Sequence, residues 1–554
     1  MQQSLFPKNQ IIVMDGAMGT MLQQRGLQPG EAPERMNLRA PEVVTAVHRA
    51  YAEAGSHVVS TNTFGANRRK LGKMGLSVDE VVRRAVEAAR AAVRGTEVRV
   101  ALDIGPIGEL LEPSGELTFE EAYEIFAEMA EAGQRHGADL ILIETMTDLY
   151  EARAALLAAK ERTDLPVWVS MSFEQNGRTL TGTPVTVMAM TLGAMGADAV
   201  GINCSLGPEE MVGLARELCA NTSVPVFLKP NAGLPDAVTG EHRMAPDVFA
   251  GWMQVCALPG VAMMGGCCGT NPETIKALAG VLRGRVPLPS VAVPQSRICS
   301  SMKAVSLDGP LAVGERINPT GKDALIEELS RGEFWELQDL VMEQEEEGAA
   351  FLDVNVAIAG GDEKVLLPAA IKDIQALTRI PLQLDSSDLA AMEAGLRVYN
   401  GKSIINSVTA APDRLDTAIR LCQKYGAAFV GLTMNNKGIP ESVEERVALA
   451  EGIIERALAG GVPREDIIID CITMPVLYFP DLEEVTLGAL AEVKRRWGIK
   501  TMLGISNISF GMANLEARRA KNREFLGLAL EAGLDLSIVD PGDAAIMELI
   551  SNSK

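Results

Sequence analysis

The stretch Val261–Cys268, VAMMGGCC, runs four apolar residues into two glycines and then two adjacent cysteines. A short apolar run closed by glycine reads as a buried strand, with its reactive residues at the C-terminal end. The cysteines do not read as partners of each other. Their Cα atoms lie about 3.8 Å apart across a trans peptide, and a disulfide there would be severely strained.

The same plan repeats on both sides. Seven similar runs precede it: IIVMDG (11–16), HVVSTNTF (57–64), EVRVALDIG (97–105), LILIETM (140–146), PVWVSMSF (166–173), AVGINCS (199–205) and PVFLKPN (225–231). Amphipathic stretches such as PEVVTAVHRAYAEAG and TFEEAYEIFAEMAEAG lie between them, each ending at a glycine, a common helix stop. The C-terminal half has LAVGERIN (311–318), FLDVNV (351–356), PLQLDSS (381–387), KSIINSV (402–408), AFVGLTM (428–434), DIIIDCI (466–472), TMLGISNISF (501–510) and LSIVDP (536–541). Apolar strands alternating with helices indicate parallel βα units, and eight of them in about 250 residues is the count of a (β/α)8 barrel. The expected fold is α/β, with two tandem (β/α)8 TIM barrels over residues 1–287 and 306–554. PLPSVAVPQSRICSS (287–301) holds three prolines and four serines without amphipathic period, so 288–305 is expected to be a linker. A doubly wound sheet is the other arrangement of such units, but no G-x-G-x-x-G turn follows a first strand.

The 554 residues exceed one ordinary core. A formal net charge of −22 argues against nucleic acid as a partner, though not against a small anionic substrate. No apolar run is long enough for a membrane span, and MQQSLFPKNQ lacks the pattern of a secretory signal. Eight cysteines in so long a chain do not make a disulfide framework, which points to a reducing, cytoplasmic setting.

Polar residues collect where the strands end: Asp15, Asn62, Asp103, Glu144, Ser172, Cys204, Asn231 and Cys267–Cys268 in the first half. The second half has Glu315, Asn318, Asp353, Asn355, Asp385, Asn406, Asp470, Asn507 and Asp540. A barrel places its active site at that rim, so two active sites are expected. Cys204 after strand six and Cys267–Cys268 after strand eight can converge. Three thiolates with a vacant fourth position describe an open zinc site, and the glycines at 265, 266 and 269 would let the backbone aim both neighbouring sulfurs. Burial as small apolar side chains is the other reading, and no C-x-x-C pair decides between them. For Cys219, Cys256, Cys299, Cys422 and Cys471 burial is the expectation.

The motifs DGAMGT (15–20), TNTFGANRRKL (61–71), GINCSLGPEE (201–210), PNAG (230–233) and GGCCGTNPE (265–273) resemble the homocysteine S-methyltransferase family. GERINPTG (314–321), LDVNV (352–356), LDSS (384–387), INSV (405–408) and GISNISFG (504–511) resemble the methyltetrahydrofolate-binding module of the cobalamin-dependent methionine synthases. The order matches the N-terminal half of that family, and the resemblance covers nearly the whole chain. It implies methyl transfer from 5-methyltetrahydrofolate to homocysteine through a cobalamin carrier, forming methionine.

By the resemblance, Cys204, Cys267 and Cys268 hold Zn2+, which would let homocysteine bind as a nucleophilic thiolate. Asn231 is implied as a stand-in ligand. Asp15 and Glu144 are candidates for the amino-acid end of homocysteine, and the turn at Gly16 for its carboxylate. In the second barrel Asp385, Asn406 and Asp470 suit the paired hydrogen bonds of a pterin edge, with Glu315 and Asn318 closing strand one. Asn507 aligns with the family asparagine near N5 of folate. An amide that donates or accepts by rotating can serve N5 in both charge states. The family usually continues GISNISFG with a proline and an arginine. This chain reads FGMANLEARRAKNREF, where Arg518 is the best match for the folate tail and Arg519 the next.

The family's D-x-H-x-x-G cobalt-binding pattern is not found around any of the four histidines, His48, His57, His136 and His242. Cobalamin, as methylcobalamin and cob(I)alamin, would come from another domain or from a separate corrinoid protein. The alternatives are a homocysteine methyltransferase fused to a methylenetetrahydrofolate reductase, a folate:corrinoid methyltransferase of one-carbon metabolism, and an idle scaffold that only binds.

Overall fold

A computed structural model of the protein describes residues 9–28, 30–236 and 242–553. The first eight residues, on which the reading of the N-terminus largely falls, lie outside them. Two compact units divide between Val293 and Pro294.

In the first unit eight parallel strands run β1 (Ile12–Val13), β2 (Val58–Ser60), β3 (Arg99–Ile104), β4 (Leu140–Met146), β5 (Val167–Met171), β6 (Ala199–Asn203), β7 (Val226–Lys229) and β8 (Val261–Met264). Each pairs with the next, β1 pairs with β8, and a parallel bridge from Met14 to Val58 closes the ring. Burial on both faces explains why the strands are apolar throughout rather than alternating. Inside, large and small side chains interlock. Trp168 of β5 and Phe227 of β7 bring their rings to 6.1 Å between centroids, and β6 between them is small at Ala199 and Gly201. A Cβ on Gly201 would stand 2.7 Å from the Phe227 ring.

The helices lie between the strands. The helix Phe119–His136 starts on a Thr118–Glu121 capping box and stops at Gly137, whose φ of 93° suits glycine. The stop expected at Gly133 is therefore wrong. Gly133 sits inside the helix because a Cβ there would be 2.4 Å from Leu102.

The second unit opens with a hairpin, β9 (Arg297–Cys299) and β10 (Ala304–Ser306). A closed parallel barrel follows: β11 (Leu311–Ile317), β12 (Phe351–Val354), β13 (Leu382–Asp385), β14 (Ile404–Thr409), β15 (Ala428–Leu432), β16 (Ile467–Asp470), β17 (Lys500–Gly504) and β18 (Leu536–Val539). The 288–305 stretch is thus not linker throughout. Cys299 exchanges backbone hydrogen bonds with Lys402, and Tyr399 donates its hydroxyl to the Cys299 carbonyl. Ile298 and Leu307 join the core formed by the strand beginnings, so the hairpin plugs the N-terminal end of the barrel.

Most of the sixteen barrel strands stop short of the C-terminal end of their predicted run. The polar residues beyond belong to the rim, where a loop leaves the sheet. Among the described residues no helix is long and apolar enough to cross a membrane.

Candidate functional site

The ends of β6 and β8 flank β7, and there the sulfurs of Cys204, Cys267 and Cys268 lie within 4.8 Å of one another. Cys204 and Cys268 are 3.9 Å apart. Tetrahedral ligands on bonds of about 2.3 Å stand about 3.8 Å apart, so this pair already has the spacing of two zinc ligands and the third sulfur lies close by. Cys268 is exposed and the other two half-buried, which leaves one side open. The remaining five cysteines are buried, as expected.

The approach strains the backbone. Cys204 and Ser205 have φ of 59° and 53°, and Thr145, near the end of β4, has 63°. Non-glycine residues adopt this region only where neighbours hold them there. Asn203 is such a neighbour. Its Oδ1 accepts from Thr145 N and Ser170 Oγ, both at 2.8 Å, and its Nδ2 donates to Thr145 Oγ1 at 2.7 Å. The same Nδ2 reaches Cys267 Sγ at 4.0 Å. Of the three glycines around the pair, only Gly269 has a left-handed φ, 78°. Gly265 and Gly266 are required by space: a Cβ would come within 2.7 Å of Met14 and 2.5 Å of Thr270 respectively.

The trio opens into a cavity of about 400 Å³ that Asp15, Gly16 and Glu144 also line. Gly16 admits no side chain, since a Cβ would be 2.6 Å from Thr270 Oγ1. Asp15 accepts from Ser60 N at 2.6 Å and Ser60 Oγ at 2.9 Å. Asn231 is not among the lining residues; its Oδ1 accepts from Cys268 N at 3.1 Å, so it braces the cysteine pair.

Sequence reasoning missed Lys229, the last residue of β7. It is buried, with Nζ 2.7 Å from Glu144 and 3.8 Å from Asp15. Burial works against its ammonium, but Glu144, Asp15, Asp103 and Cys267 outweigh it and hold its pKa above the ordinary lysine value. Burial also raises Asp15 to about 6, against the pull of Lys229 and Ser60. Burial and then Glu144 lift Asp103 well above the carboxylate range. Its buried Oδ1 has no hydrogen-bond partner among the described residues. A lone lysine in the apolar run PVFLKPN was the available signal.

The mouth of the second barrel is built from carboxyl and carboxamide groups. Asp353, on β12, accepts from Gln383 Nε2 at 2.8 Å and Asn406 Nδ2 at 3.1 Å. Asp385 is the register partner of Asn406 and accepts from Asn355 Nδ2 at 2.9 Å. Asp470 Oδ1 accepts from Ile472 N at 2.6 Å, and Glu315 from Ser506 Oγ at 2.8 Å. Burial is the main cause that raises Asp385 to about 6 and Asp470 and Glu315 to about 7.

The other candidates sit differently. Asn318 turns its Oδ1 back to Thr320 N at 3.0 Å, a local turn bond. Asn507 is exposed on the short turn Ile505–Ser509, its amide folded over Gly504. Arg518 lies in the first turn of the helix Leu515–Glu531, close enough for its charge to pull on Glu315, and its buried Nε has no partner among the described residues. Nearby, Lys521 is committed to Glu483 at 2.7 Å and Arg523 to Asp543 at 2.8 Å.

Residues 12–282 match the family described as homocysteine S-methyltransferase, and residues 314–540 the family described as pterin binding enzyme. Methionine synthase of Mycobacterium leprae is 32% identical over 575 residues, covering 96% of this chain and 47% of its own length. That of Mycobacterium tuberculosis is 31% identical over 566 residues, with the same coverage, 96% and 47%. The chain therefore spans about half the length of the curated relatives it matches. A solved structure of the homocysteine methyltransferase MmuM from Escherichia coli, in its metallated form, is 26% identical with a TM-score of 0.42, covering 49% of this chain and 96% of that one.

Proposed function

Because the chain carries a homocysteine S-methyltransferase domain at residues 12–282 and a pterin-binding domain at residues 314–540, we propose that it moves a methyl group from 5-methyltetrahydrofolate to homocysteine, forming methionine. A cobalamin carrier, supplied by another domain or a corrinoid protein, would take the methyl between the sites. Residues 1–287 serve as the homocysteine module and 306–554 as the folate module, in a cytoplasmic setting that keeps the thiols reduced. The observation that carries the reading is the pairing of the two mouths: three converging sulfurs on one, a ring of carboxyl and carboxamide groups on the other.

The spacing, exposure and softness of the trio fit zinc, and Cys204, Cys267 and Cys268 would hold it. Bound there, the ion would supply a lowered pKa for a coordinated thiol. The chain does the rest. Glu144 has an oxygen beyond the one that Lys229 binds, and with Asp15 beside it receives the substrate ammonium. Gly16 leaves room for the carboxylate. Lys229 supplies a counter-charge to these acids, while Asn203 and Asn231 hold the cysteines in place.

In the second barrel Asp385, Asn406 and Asp470 receive the donor edge of the pterin, with Glu315 and Asn318 flanking it. Asn507 is exposed and free to rotate, so it can follow N5 through its change of charge. Arg518 offers its unpartnered Nε to a carboxylate of the folate tail.

The test is anaerobic spectrophotometry with free cob(I)alamin. Adding 5-methyltetrahydrofolate should remove the cob(I)alamin spectrum, and adding homocysteine should bring it back. If neither change occurs in folded, zinc-loaded protein that binds folate, the proposal fails for free cobalamin as methyl acceptor.

A further inference from the structure

One buried cation in the second barrel touches nothing in the mouth. Arg446 lies in the helix Val443–Ala459, behind β16, with no exposed surface. No carboxylate among the described residues forms an ion pair with it. Its Nε donates to the Pro440 carbonyl at 2.8 Å. One terminal nitrogen donates to the carbonyls of Cys471 and Ile472, at 2.5 and 2.9 Å, and to Thr486 Oγ1 at 3.0 Å. Thr486 in turn donates toward the Ile472 carbonyl at 2.9 Å.

All of this converges on a residue in an unfavourable conformation. Ile472 has φ of 64°, and a β-branched side chain in that region is a genuine outlier. It persists where surrounding bonds over-determine it. In the same turn Ile472 N donates to Asp470 Oδ1 at 2.6 Å. That bond ties down one oxygen of the carboxyl. Thr433 holds the other side, donating from N and Oγ1 to the Asp470 carbonyl at 3.0 and 3.2 Å.

We propose that Arg446 is a positioning residue for the folate site: with Thr486 it clamps the strained Cys471–Ile472 turn, and the turn aims Asp470 at the pterin. The inference rests on the reading of Asp470 as a pterin contact. The planar guanidinium holds Nε on Pro440 and a terminal nitrogen on Cys471 and Ile472 at once; lysine, a single point donor, would not span both.

The test uses the full chain and calorimetric titration with 5-methyltetrahydrofolate. Asp470→Ala and Arg446→Met should each weaken binding by about 10- to 100-fold, the scale of a 1 Å misplacement. The double variant should bind no worse than Asp470→Ala alone, within about 2-fold, because the two residues act through one carboxyl. Multiplied losses in the double variant would show a general structural defect and overturn the proposal. So would wild-type binding by folded Arg446→Met when Asp470→Ala is impaired. Wild-type binding by Asp470→Ala would instead remove the reading of Asp470, and the inference with it. If Arg446→Met does not fold by circular dichroism, Thr486→Val replaces it. That variant should weaken binding about 3-fold in the wild-type background and not at all beside Asp470→Ala; an equal loss in both backgrounds would overturn the clamp.

Discussion

In the first barrel a buried lysine stands inside the mouth; in the second a buried arginine stands behind it. Lys229 lies 2.7 Å from Glu144 and balances a cluster of three acids. Arg446 spends Nε and one terminal nitrogen on carbonyls and a hydroxyl, and the acids in front of it are held by amides instead. The difference suits what each mouth is proposed to meet. A site proposed for an ammonium and a soft cation gains from an anionic lining, and Lys229 pulls Asp15 and Asp103 down against burial. A site that reads a heterocyclic edge needs fixed donors and acceptors more than charge, and neighbouring carboxamides supply them.

The largest effect should come from the thiols. Replacing Cys204, Cys267 or Cys268 by alanine should abolish stoichiometric zinc binding and lower homocysteine methylation by more than about 100-fold, beyond the loss usual for residues one shell away from a metal. Folate-dependent loss of the cob(I)alamin spectrum should stay at wild-type rate. A variant that retained zinc and turnover would break the assignment of the first mouth.

Next comes the cation. Lys229→Met leaves Asp15, Asp103 and Glu144 buried without a counter-charge, and removing one partner from such a cluster costs about 3–5 kcal/mol. Urea unfolding followed by circular dichroism should show it. An unchanged midpoint would mean that the three acids share protons and need no lysine. Asn507→Ala should act oppositely: the residue is exposed, so stability should hold, while the folate half-reaction slows about 10-fold or more with the folate dissociation constant nearly unchanged. Equal losses in affinity and rate would make Asn507 a binding group only.

The strands were legible because an apolar run ended by a polar residue has one meaning in a parallel barrel. The hairpin inside the 288–305 stretch was not. Its strands are three residues each, too short for any period, and they are held by Lys402 and Tyr399 from far along the chain. The cysteine trio was visible as residue types at strand ends. Lys229 and Arg446 escaped because a buried ion means something only with its partners, and Glu144 lies 85 residues from Lys229. Asn318 stands at a strand end, and its Oδ1 accepts from Thr320 N in a local turn that residue type alone did not announce.

The smallest effect sharpens the comparison through pH. Burial raises Asp470 from 3.8 to about 7 in the fold. A carboxyl with a raised pKa binds its proton more tightly folded than unfolded, so its contribution to stability is fully present below about pH 4 and is lost as pH rises through about 7. Asparagine mimics the neutral acid at every pH. Asp470→Asn should therefore gain in Tm over wild type as pH rises, by about 5–10 °C between pH 5 and 8, and level off beyond. A difference independent of pH in scanning calorimetry would mean that Asp470 is ionised throughout. Folate affinity should run with the opposite sign, rising in wild type as Asp470 ionises near pH 7 and staying low and flat in the variant. The second mouth gives up stability at the pH where its carboxyl becomes useful, because burial outweighs the pull of Arg446 on Asp470; in the first mouth Lys229 draws Asp15 back down against burial.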